Sequence, residues 1–199
     1  MSERASTEDL AGKDPVMREL IAHYGPLRIS RRSADYTGLV RIIINQQLSN
    51  KAAGTIFSRL ISIVGRDSLT PEAVLGIKES DFRSIGISAA KTSYIRGLAS
   101  ILEERPDFLK RLADIENDEA FKILTSVKGI GPWSASIFLM FNLGREDIYP
   151  EGDVSINKAI KCLYEIHPDK HQTVSEGWRP HRTLACLYLW KWIDVKNKK

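Results

Sequence analysis

The chain has 199 residues and 43% hydrophobic content, enough to bury the core of one domain or two small lobes. No apolar run approaches the ~20 residues of a membrane-spanning helix, and residues 1–4 lack the basic and apolar regions of a signal peptide. Cys162 and Cys186 are isolated, which argues against a disulfide framework, a zinc site or an iron–sulfur cluster. The 29 lysines and arginines exceed the 25 acids, and this net charge of +4 favours a polyanionic partner. We expect a reduced cytoplasmic protein, or a nuclear one if the source is a eukaryote.

Amphipathic helices account for most of the chain. Apolar residues recur at helical spacing in segments that glycine, proline or polar turns separate. The predicted helices run, in chain order, from Asp14 to Gly25, from about Ala34 past Ile43, from Ala52 to Gly65, in short pieces over 71–85, from Ser88 past Leu102, around Phe108 and Leu112, from Asn117 to Val127, from Pro132 to about Gly144, from Asp153 past Tyr164, and from about His181 to Ile193. No strand pair or internal repeat is convincing, so the sequence predicts an all-α protein.

Three segments need a separate interpretation. Residues 1–13 are polar, and we expect them to form a flexible N-terminus. Residues 42–44 are three isoleucines that would suit a strand, but helical spacing continues on both sides, so we predict a helix. Residues 196–199 have the composition of a solvated basic tail.

A Gly-x-Gly turn at Gly129 and Gly131 joins two of the predicted helices. Both glycines would allow left-handed or crowded backbone that other residues resist. Pro132 suits the first turn of the following helix, where its missing N–H is not needed. The amides after the turn would then point out of a helix N-terminus, which favours a phosphate. An ordinary interhelical turn would use the same residues, whereas a dinucleotide-binding loop needs a preceding strand and a third glycine where Ser134 stands.

Four motifs, in this order along the chain, resemble those of the helix-hairpin-helix DNA glycosylases. They are a signature of the alkyladenine branch at residues 43–49, the hairpin at 127–135, the loop that bears the catalytic Asp at 149–153, and a second branch signature at 178–182. The alkyladenine branch is the DNA-3-methyladenine glycosylase II group. One hairpin alone would be a weak signal, but the resemblance covers nearly the whole chain.

The resemblance implies an all-α fold of two helical lobes around a DNA-binding cleft. A single helix-hairpin-helix domain would span residues 14–195, with the hairpin at about 117–143. We expect the hairpin and Asp153 on one side of the cleft, and the N-terminal and last helices packed together in the other lobe. We also expect a monomer whose partner is duplex DNA containing damaged bases.

Asp153 is the predicted catalytic residue. Cleavage of an N-glycosidic bond develops positive charge on the sugar, as in glycoside hydrolysis. A carboxylate beside that sugar would stabilise the charge and orient or deprotonate the attacking water. Aspartate is also a common helix cap, and Asp153 precedes a predicted helix, so capping is an alternative role that it could combine with catalysis.

The resemblance also implies which residues hold the DNA. A glycosylase reaches a stacked base by flipping it out and filling the gap. Gln47 matches the position of the residue that fills the gap and Gln46 its neighbour at the lesion, although polar residues at a helix end more often face water. The phosphate would be held at the hairpin by these residues: Lys128, Gly129, Ile130, Gly131 and the amides of Trp133, Ser134 and Ala135.

Trp133 and Trp190 match positions that line the base pocket in the alkyladenine branch. Bases such as 3-methyladenine and 7-methylguanine are cationic, so electron-rich ring faces attract them. Aromatic residues are more often part of the core, which is our expectation for Trp178 and Trp192. Ile137 would line the same pocket, although some family members have a tyrosine there.

A lysine in the hairpin of the bifunctional relatives attacks the sugar as an amine nucleophile. Trp133 stands at that position, and Lys128 lies outside it as a phosphate contact or a solvated residue. We therefore predict base excision without strand cleavage. The chemistry requires no cofactor, and the resemblance implies Na⁺ or K⁺ on the main-chain carbonyls of Thr125, Val127 and Ile130.

The resulting hypothesis is a monofunctional DNA glycosylase that excises alkylated purines and initiates base excision repair. One alternative is a glycosylase for deaminated bases such as uracil or hypoxanthine, which would favour hydrogen-bonding groups over tryptophans in the pocket. Another is a non-catalytic DNA-binding module. A pure binder, however, would have no use for a carboxylate that repels the DNA backbone.

Overall fold

The computed structural model describes residues 3–65, 69–167 and 170–197, and within these ranges the regular secondary structure is helical throughout. The helices are α1 (Glu3–Lys13), α2 (Pro15–Tyr24), α3 (Tyr36–Asn45), α4 (Asn50–Val64), α5 (Pro71–Leu75), α6 (Glu79–Ser84), α7 (Ala89–Glu104), α8 (Phe108–Asp114), α9 (Asn117–Ser126), α10 (Pro132–Phe141), α11 (Val154–Tyr164), α12 (His171–Glu176) and α13 (Arg182–Lys196). The prediction of an all-α protein is confirmed. In the described part of the chain, every helix is too short or too polar to cross a membrane.

The chain divides into two compact units. The continuous unit comprises Arg32–Leu143, and the terminal unit is assembled from both ends of the chain, Met1–Arg31 and Gly144–Lys199. In the terminal unit, α2 and α11 both pack on α13, so the predicted pairing of the N-terminal and last helices is confirmed. Asp153 belongs to the terminal unit as well, because the helix that follows it packs on α13. The expectation that Asp153 shares a lobe with the hairpin is therefore wrong.

Helix α3 is the centre of the continuous unit. It packs on α4, α7 and α10, and the exposed fractions of Ile42, Ile43 and Ile44 are 4%, 0% and 1%. A helix with neighbours on several sides is apolar around much of its circumference, which explains three consecutive isoleucines. The prediction of a helix rather than a strand is confirmed.

Capping residues mark several helix starts that the sequence predicts. Asp14, Thr70 and Ser88 each accept a hydrogen bond from the amide three residues further along the chain, as N-cap side chains do. Gly65 follows the C-terminal end of α4 in the left-handed conformation with φ 68°, which lets the chain leave the helix. These boundaries follow from local chemistry, and the structure confirms them.

The N-terminal segment differs from its prediction as a flexible region, because Glu3–Lys13 forms α1 and packs on α2. The side chain of Leu10 is fully buried. The carboxylate of Asp9 lies 2.9 Å from Nε2 of the buried His181. Leu10 is the one large apolar residue of α1, so the helical pattern is too sparse to recognise from spacing alone.

The C-terminal end also differs in detail from the prediction. Lys196, expected in the tail, is the last residue of α13, and residues 198 and 199 lie outside the described residues. Trp178 is fully buried, as predicted, and its indole N–H donates to Asp14 Oδ2 at 2.8 Å. The core prediction for Trp192 is wrong, because its ring is only partly buried and lies 4.5 Å from the Lys196 ammonium.

Candidate active site and nucleic-acid interface

The turn between α9 and α10 is a tight hairpin. Val127 leaves α9 with extended backbone, and its carbonyl accepts the amide of Ile130 at 3.0 Å. Ile130 is 3% exposed and anchors the turn in the core of the continuous unit. Gly131 is the N-cap of α10 and Pro132 is its first residue, where proline is favoured.

The two hairpin glycines have different reasons to be glycine. Gly129 has φ 93°, and a Cβ atom there would lie 2.2 Å from Cγ of Tyr94. Backbone geometry and crowding thus both demand glycine at this position. Gly131 has φ −82° and ψ 175°, and a Cβ atom there would meet nothing within 4 Å. The expectation of left-handed or crowded backbone is confirmed at Gly129. It is wrong at Gly131, which has ordinary backbone angles and free space at the Cβ position.

The first turn of α10 presents the amides of Trp133 and Ser134 at the helix N-terminus, the positive end of the helix dipole. The amide of Ala135 donates to Gly131 O at 2.9 Å, so it closes the first helical turn. The predicted phosphate contact of this amide, which would compete with that bond, stays a prediction. Lys128, next to the turn, is exposed.

Gln46 joins the end of α3 to the hairpin. Its side-chain amide donates to Gly129 O at 2.8 Å and to Ser134 Oγ at 3.0 Å. The ammonium of Lys91 donates to the carbonyls of Ile44 and Gln46, both at 2.7 Å. A cation on these carbonyls suits the partial negative charge of a helix C-terminus. Gln46 is therefore engaged with the hairpin, a contact that the sequence does not reveal.

Gln47 follows in the left-handed conformation with φ 58°. Positive φ is uncommon for a residue other than glycine, and such backbone often marks a functional position. The Gln47 side chain is exposed, and the neighbouring Leu48 is 38% exposed. The turn between α3 and α4 thus projects a polar and an apolar side chain next to the residue that contacts the hairpin.

Asp153 is the N-cap of α11 and is 8% exposed. Its Oδ1 accepts the Ile156 amide at 2.9 Å and the Trp190 indole N–H at 3.2 Å. The predicted capping role is confirmed, and the bond from Trp190 gives the carboxylate a second donor on the same oxygen. Trp190 lies on α13, so this bond connects the N-cap of one helix to the side of another.

The loop that leads to Asp153 is fixed to the start of α13. The guanidinium of Arg182 donates to Asp147 Oδ1 at 2.6 Å and to Asp147 O at 2.8 Å. Arg179 donates to Asp147 Oδ2 at 2.7 Å. The hydroxyl of Thr183 accepts the Ile148 amide at 3.2 Å. Both arginines thus form ion pairs with Asp147.

Tyr149 and Cys186 are two polar groups whose pKa the charge of Asp153 helps to raise. Burial, and then the negative charge of nearby groups that include Asp153, raises the pKa of the Tyr149 hydroxyl. Burial, and then the charge of Asp153, raises the pKa of the Cys186 thiol well above its usual range. Both groups therefore stay protonated and uncharged at neutral pH.

A cavity of about 570 Å³ lies in the continuous unit, between α3, α4 and α10. It brings together two of the predicted pocket residues, Trp133 and Ile137. Its other lining residues are Arg32, Ser33, Asp35, Thr37, Gly38, Arg41, Ile42, Asn45, Asn50, Ala53, Gly54 and Phe57. Gln46 does not line it, and Trp190 belongs to the terminal unit with Asp153.

The carbonyls predicted to bind a cation lie at the C-terminal end of α9 and in the hairpin. The hydroxyl of Thr125 donates back to Phe121 O at 2.9 Å, as is usual for threonine in a helix. The carbonyl of Val127 already accepts the Ile130 amide, and a carbonyl oxygen has a second lone pair. Neutral carbonyls at a negative helix end have the donor chemistry that a hard monovalent cation needs.

Comparison with known proteins identifies relatives across most of the chain. Residues 40–181 match the family described as HhH-GPD superfamily base excision DNA repair protein. The DNA-3-methyladenine glycosylase 1 of Schizosaccharomyces pombe is 34% identical over 179 residues, which are 87% of this chain and 78% of that protein. A DNA-3-methyladenine glycosidase from Bacillus halodurans has a similar crystal structure, with TM-score 0.86 and 31% identity over 98% of this chain and 91% of that one. The 3-methyladenine DNA glycosylase Mag1 of Schizosaccharomyces pombe, in complex with abasic DNA, has TM-score 0.84 and 30% identity over 94% and 95% of the two chains.

Proposed function

The chain belongs to the HhH-GPD superfamily of base excision DNA repair proteins, and from this premise we propose that it is a monofunctional DNA glycosylase for alkylated purines. Its substrates are 3-methyladenine and 7-methylguanine in duplex DNA, and its reaction initiates base excision repair. The relatives named as 3-methyladenine glycosylases support this substrate class. The observation that carries the proposal is the fixed carboxylate of Asp153.

Asp153 acts on the sugar of the damaged nucleotide. As the N-glycosidic bond breaks, positive charge develops on the sugar, and a preoriented carboxylate stabilises that charge without having to reorganise. The two donors on Oδ1, the Ile156 amide and the Trp190 indole, hold the group in one orientation. The same carboxylate orients or deprotonates the attacking water, which adds to C1′ as the base leaves.

The hairpin and the turn between α3 and α4, which carries Gln47, hold the DNA. The N-terminus of α10 takes a backbone phosphate through its first-turn amides, with Lys128, Gly129, Ile130 and Gly131 around it. Gln47 enters the duplex where the flipped nucleotide leaves the stack. Its left-handed backbone supports this role, because it projects the side chain from a fixed turn. The protein acts as a monomer, which light scattering after gel filtration tests.

Recognition of the base depends on charge. A cationic purine leaves as a neutral molecule and needs no general acid, whereas a neutral base must leave as an anion unless an acid protonates it. The indole face of Trp133 attracts the cationic base, and Trp190 is the second ring that the family resemblance assigns to the base. We therefore expect fast release of 3-methyladenine and 7-methylguanine, much slower release of hypoxanthine, and little or no release of uracil.

Strand cleavage is absent from the proposed reaction. A lyase forms a Schiff base through a lysine amine, and the matching hairpin position holds Trp133. Borohydride reduction distinguishes the two activities, because it traps a Schiff base as a covalent protein–DNA adduct. We expect no adduct with alkylated duplex, and a stoichiometric adduct would contradict the monofunctional assignment.

A Na⁺ or K⁺ ion on the carbonyls of Thr125, Val127 and Ile130 is part of the proposed DNA contact. The support is chemical: these neutral carbonyls lie at the negative end of α9. A bound cation would add positive charge beside the hairpin and strengthen phosphate binding there. Duplex affinity should be higher in K⁺ or Na⁺ than in an equal concentration of tetramethylammonium, which is too large for such a site.

The central test is incubation with methylated duplex DNA, followed by chromatography of the released bases. Wild-type protein should release 3-methyladenine and 7-methylguanine, and Asp153→Asn is the inactive control. A uracil-containing duplex of the same sequence tests the alternative activity. Faster release of uracil than of 3-methyladenine would favour the glycosylase for deaminated bases. No release of any base, with normal binding, would favour the non-catalytic module.

The tryptophan hypothesis gives a further prediction. Trp133→Ala should slow release of the cationic bases most, by roughly tenfold, because a desolvated cation–π contact is worth ~1–2 kcal/mol. Trp133→Phe keeps a ring face, so its excision rate should fall less. Single-turnover excision of 3-methyladenine and hypoxanthine from matched duplexes gives the ratio of the two rates for each variant. An equal loss for both bases would show that Trp133 does not sense the charge.

A further inference from the structure

We propose that the cavity between α3, α4 and α10 binds a phosphate group through Arg32 and Arg41, with the attached nucleoside against its Trp133 and Ile137 wall. The phosphate is a phosphodiester of the DNA strand, an assignment that rests on the proposed function. A free nucleotide carries the same phosphate chemistry, and the experiment below separates the two sources.

Both guanidiniums lie against aromatic rings. The Arg41 guanidinium carbon is 3.9 Å from the centroid of the Phe57 ring, and that of Arg32 is 5.1 Å from the centroid of the Phe141 ring. Stacking uses the faces of a planar guanidinium and limits its motion. The N–H groups lie in the plane at its edge, where they suit the oxygens of a phosphate.

The charge of the cavity also favours an anion. Among the residues that the structure describes, neither arginine has a carboxylate within ion-pair distance. Asp35 is the one acid among the lining residues, and its Oδ1 accepts the Gly38 amide as the N-cap of α3. Two cations and one anion leave an excess of positive charge. Burial, and then repulsion by Arg41, lowers the pKa of Arg32, and a bound phosphate would relieve that repulsion.

The remaining walls suit the rest of a nucleotide. A volume of about 570 Å³ is larger than a phosphate needs, and it lies in the range of ~300–1,000 Å³ typical of small-molecule sites. Trp133 and Ile137 provide apolar lining for a sugar or base, whereas Asn45 and Asn50 provide amides. A phosphate held by the two guanidiniums would offset their positive charge, so the indole face of Trp133 stays available to the base of the same nucleotide, as in the proposed function.

The site is separate from the phosphate position at the hairpin. The hairpin would hold its phosphate with main-chain amides at the start of α10, whereas the cavity uses side chains from the segment that enters α3 and from α3 itself. The two contacts should therefore contribute independently to DNA affinity. Loss of a phosphate contact weakens binding to every sequence and reduces the salt dependence of binding.

The experiment measures affinity for an undamaged duplex over a series of salt concentrations. The variant is Arg32→Gln with Arg41→Gln, and the control is Arg83→Gln, which removes an arginine of the same unit that lies 3.8 Å from Glu79. The double variant should bind roughly tenfold more weakly at low salt, and its slope of log K against log salt should fall by about 0.9 for each lost phosphate. The control should keep the wild-type affinity and the wild-type salt slope. Circular dichroism checks folding, and Arg32→Gln alone leaves the Arg41–Phe57 contact in place if the double variant does not fold.

Calorimetry with deoxyadenosine monophosphate and with deoxyadenosine distinguishes the two phosphate sources. If the double variant loses salt slope on DNA, the strand supplies the phosphate, as proposed. If it loses only the binding of the monophosphate, the site is for free nucleotides and the DNA assignment is wrong. Unchanged slope, affinity and nucleotide binding would overturn the whole inference. These measurements use undamaged DNA and no excision, so their outcome is independent of whether alkylated bases are released.

Discussion

At the residue scale, the orientation of Asp153 depends on its neighbours on two helices. The Ile156 amide comes from the helix that Asp153 caps, and the Trp190 indole comes from α13. A carboxylate with donors on one oxygen cannot rotate without breaking them. The same side chain thus stabilises the start of α11 and presents a fixed negative charge.

The first prediction separates these two functions of Asp153. Asp153→Asn should reduce excision to the detection limit, because it removes the charge that stabilises the cationic sugar, and each tenfold loss corresponds to ~1.4 kcal/mol of barrier. Asparagine is as good an N-cap as aspartate, so the melting temperature should hardly change. Duplex binding should be unchanged or tighter, since a charge that repels the backbone is gone. A folded variant that excises at near the wild-type rate would remove Asp153 from the mechanism.

Trp190→Phe is the second prediction, and it tests the indole N–H while keeping an aromatic ring. A hydrogen bond to a charged group contributes ~1.5–3 kcal/mol, so single-turnover excision of 3-methyladenine should fall by roughly tenfold or more. Binding to undamaged duplex should stay the same. Trp192→Phe, on the same helix but without a bond to Asp153, is the matched control. If both variants lost activity equally, the bond to Asp153 would not be the cause.

At the scale of elements, the hairpin combines one strained position with one open position. Gly129 is confined by its positive φ and by Tyr94, whereas Gly131 has ordinary backbone and open space around it. The first position determines the shape of the turn, and the second determines what can approach it. Substitutions at the two glycines should therefore affect different properties.

The third prediction contrasts these positions. Gly129→Ala should lower the free energy of unfolding by more than ~2 kcal/mol, because positive φ alone costs ~1–3 kcal/mol for other residues and the new Cβ would lie 2.2 Å from Tyr94 Cγ. Gly131→Ala should cost less than ~1 kcal/mol. Urea denaturation of both variants measures the difference. Equal destabilisation would mean that the turn does not have the described conformation.

Gly131→Glu is the fourth prediction, now with Gly131→Ala as its control for the added side chain. The glutamate places a negative charge where a phosphate should bind, so affinity should fall for lesion-bearing and undamaged duplexes alike. Because nothing crowds this position, the loss would not come from misfolding. Wild-type affinity of the glutamate variant at low salt would exclude the hairpin as a DNA contact.

Local signals in the sequence predict most elements, and they fail where a contact joins distant residues. The caps Asp14, Thr70 and Ser88 identify their helices because the chemistry of a helix start lies within four residues. Helix α1 is missed because its stability comes from packing around Leu10, and no pattern within the segment encodes that packing. The bonds from Gln46 to Gly129 and from Trp190 to Asp153 span 83 and 37 residues. A family motif can suggest that such residues matter, but it does not show that they contact one another.

At the scale of the whole molecule, the terminal unit depends on α1 and α2 as much as on α11 and α13. Leu10 and Met17 are fully buried in it, and α2 packs on α13. The Asp9–His181 contact connects α1 to the residue just before α13. The first helix is therefore part of the core rather than an appendage.

The fifth prediction follows from this packing. Leu10→Ala should lower the free energy of unfolding by ~2–5 kcal/mol, as large-to-small changes in a core do. Leu48→Ala makes the same chemical change at a side chain that is 38% exposed, and it should cost less than ~1 kcal/mol. Thermal denaturation of both variants gives the comparison. Similar, small losses would support the flexible N-terminus that the composition suggested.

The terminal unit combines two separate parts of the chain, so the ribosome makes its two parts at different times. Helices α1 and α2 leave the ribosome before Arg32–Leu143, and α11 to α13 leave it afterwards. Since domains fold as units during synthesis, the continuous unit can complete its core before α13 is available to pack on α2. Nascent chains that stall before α13 would keep that surface of α2 uncovered, so chaperone binding or aggregation should concentrate there.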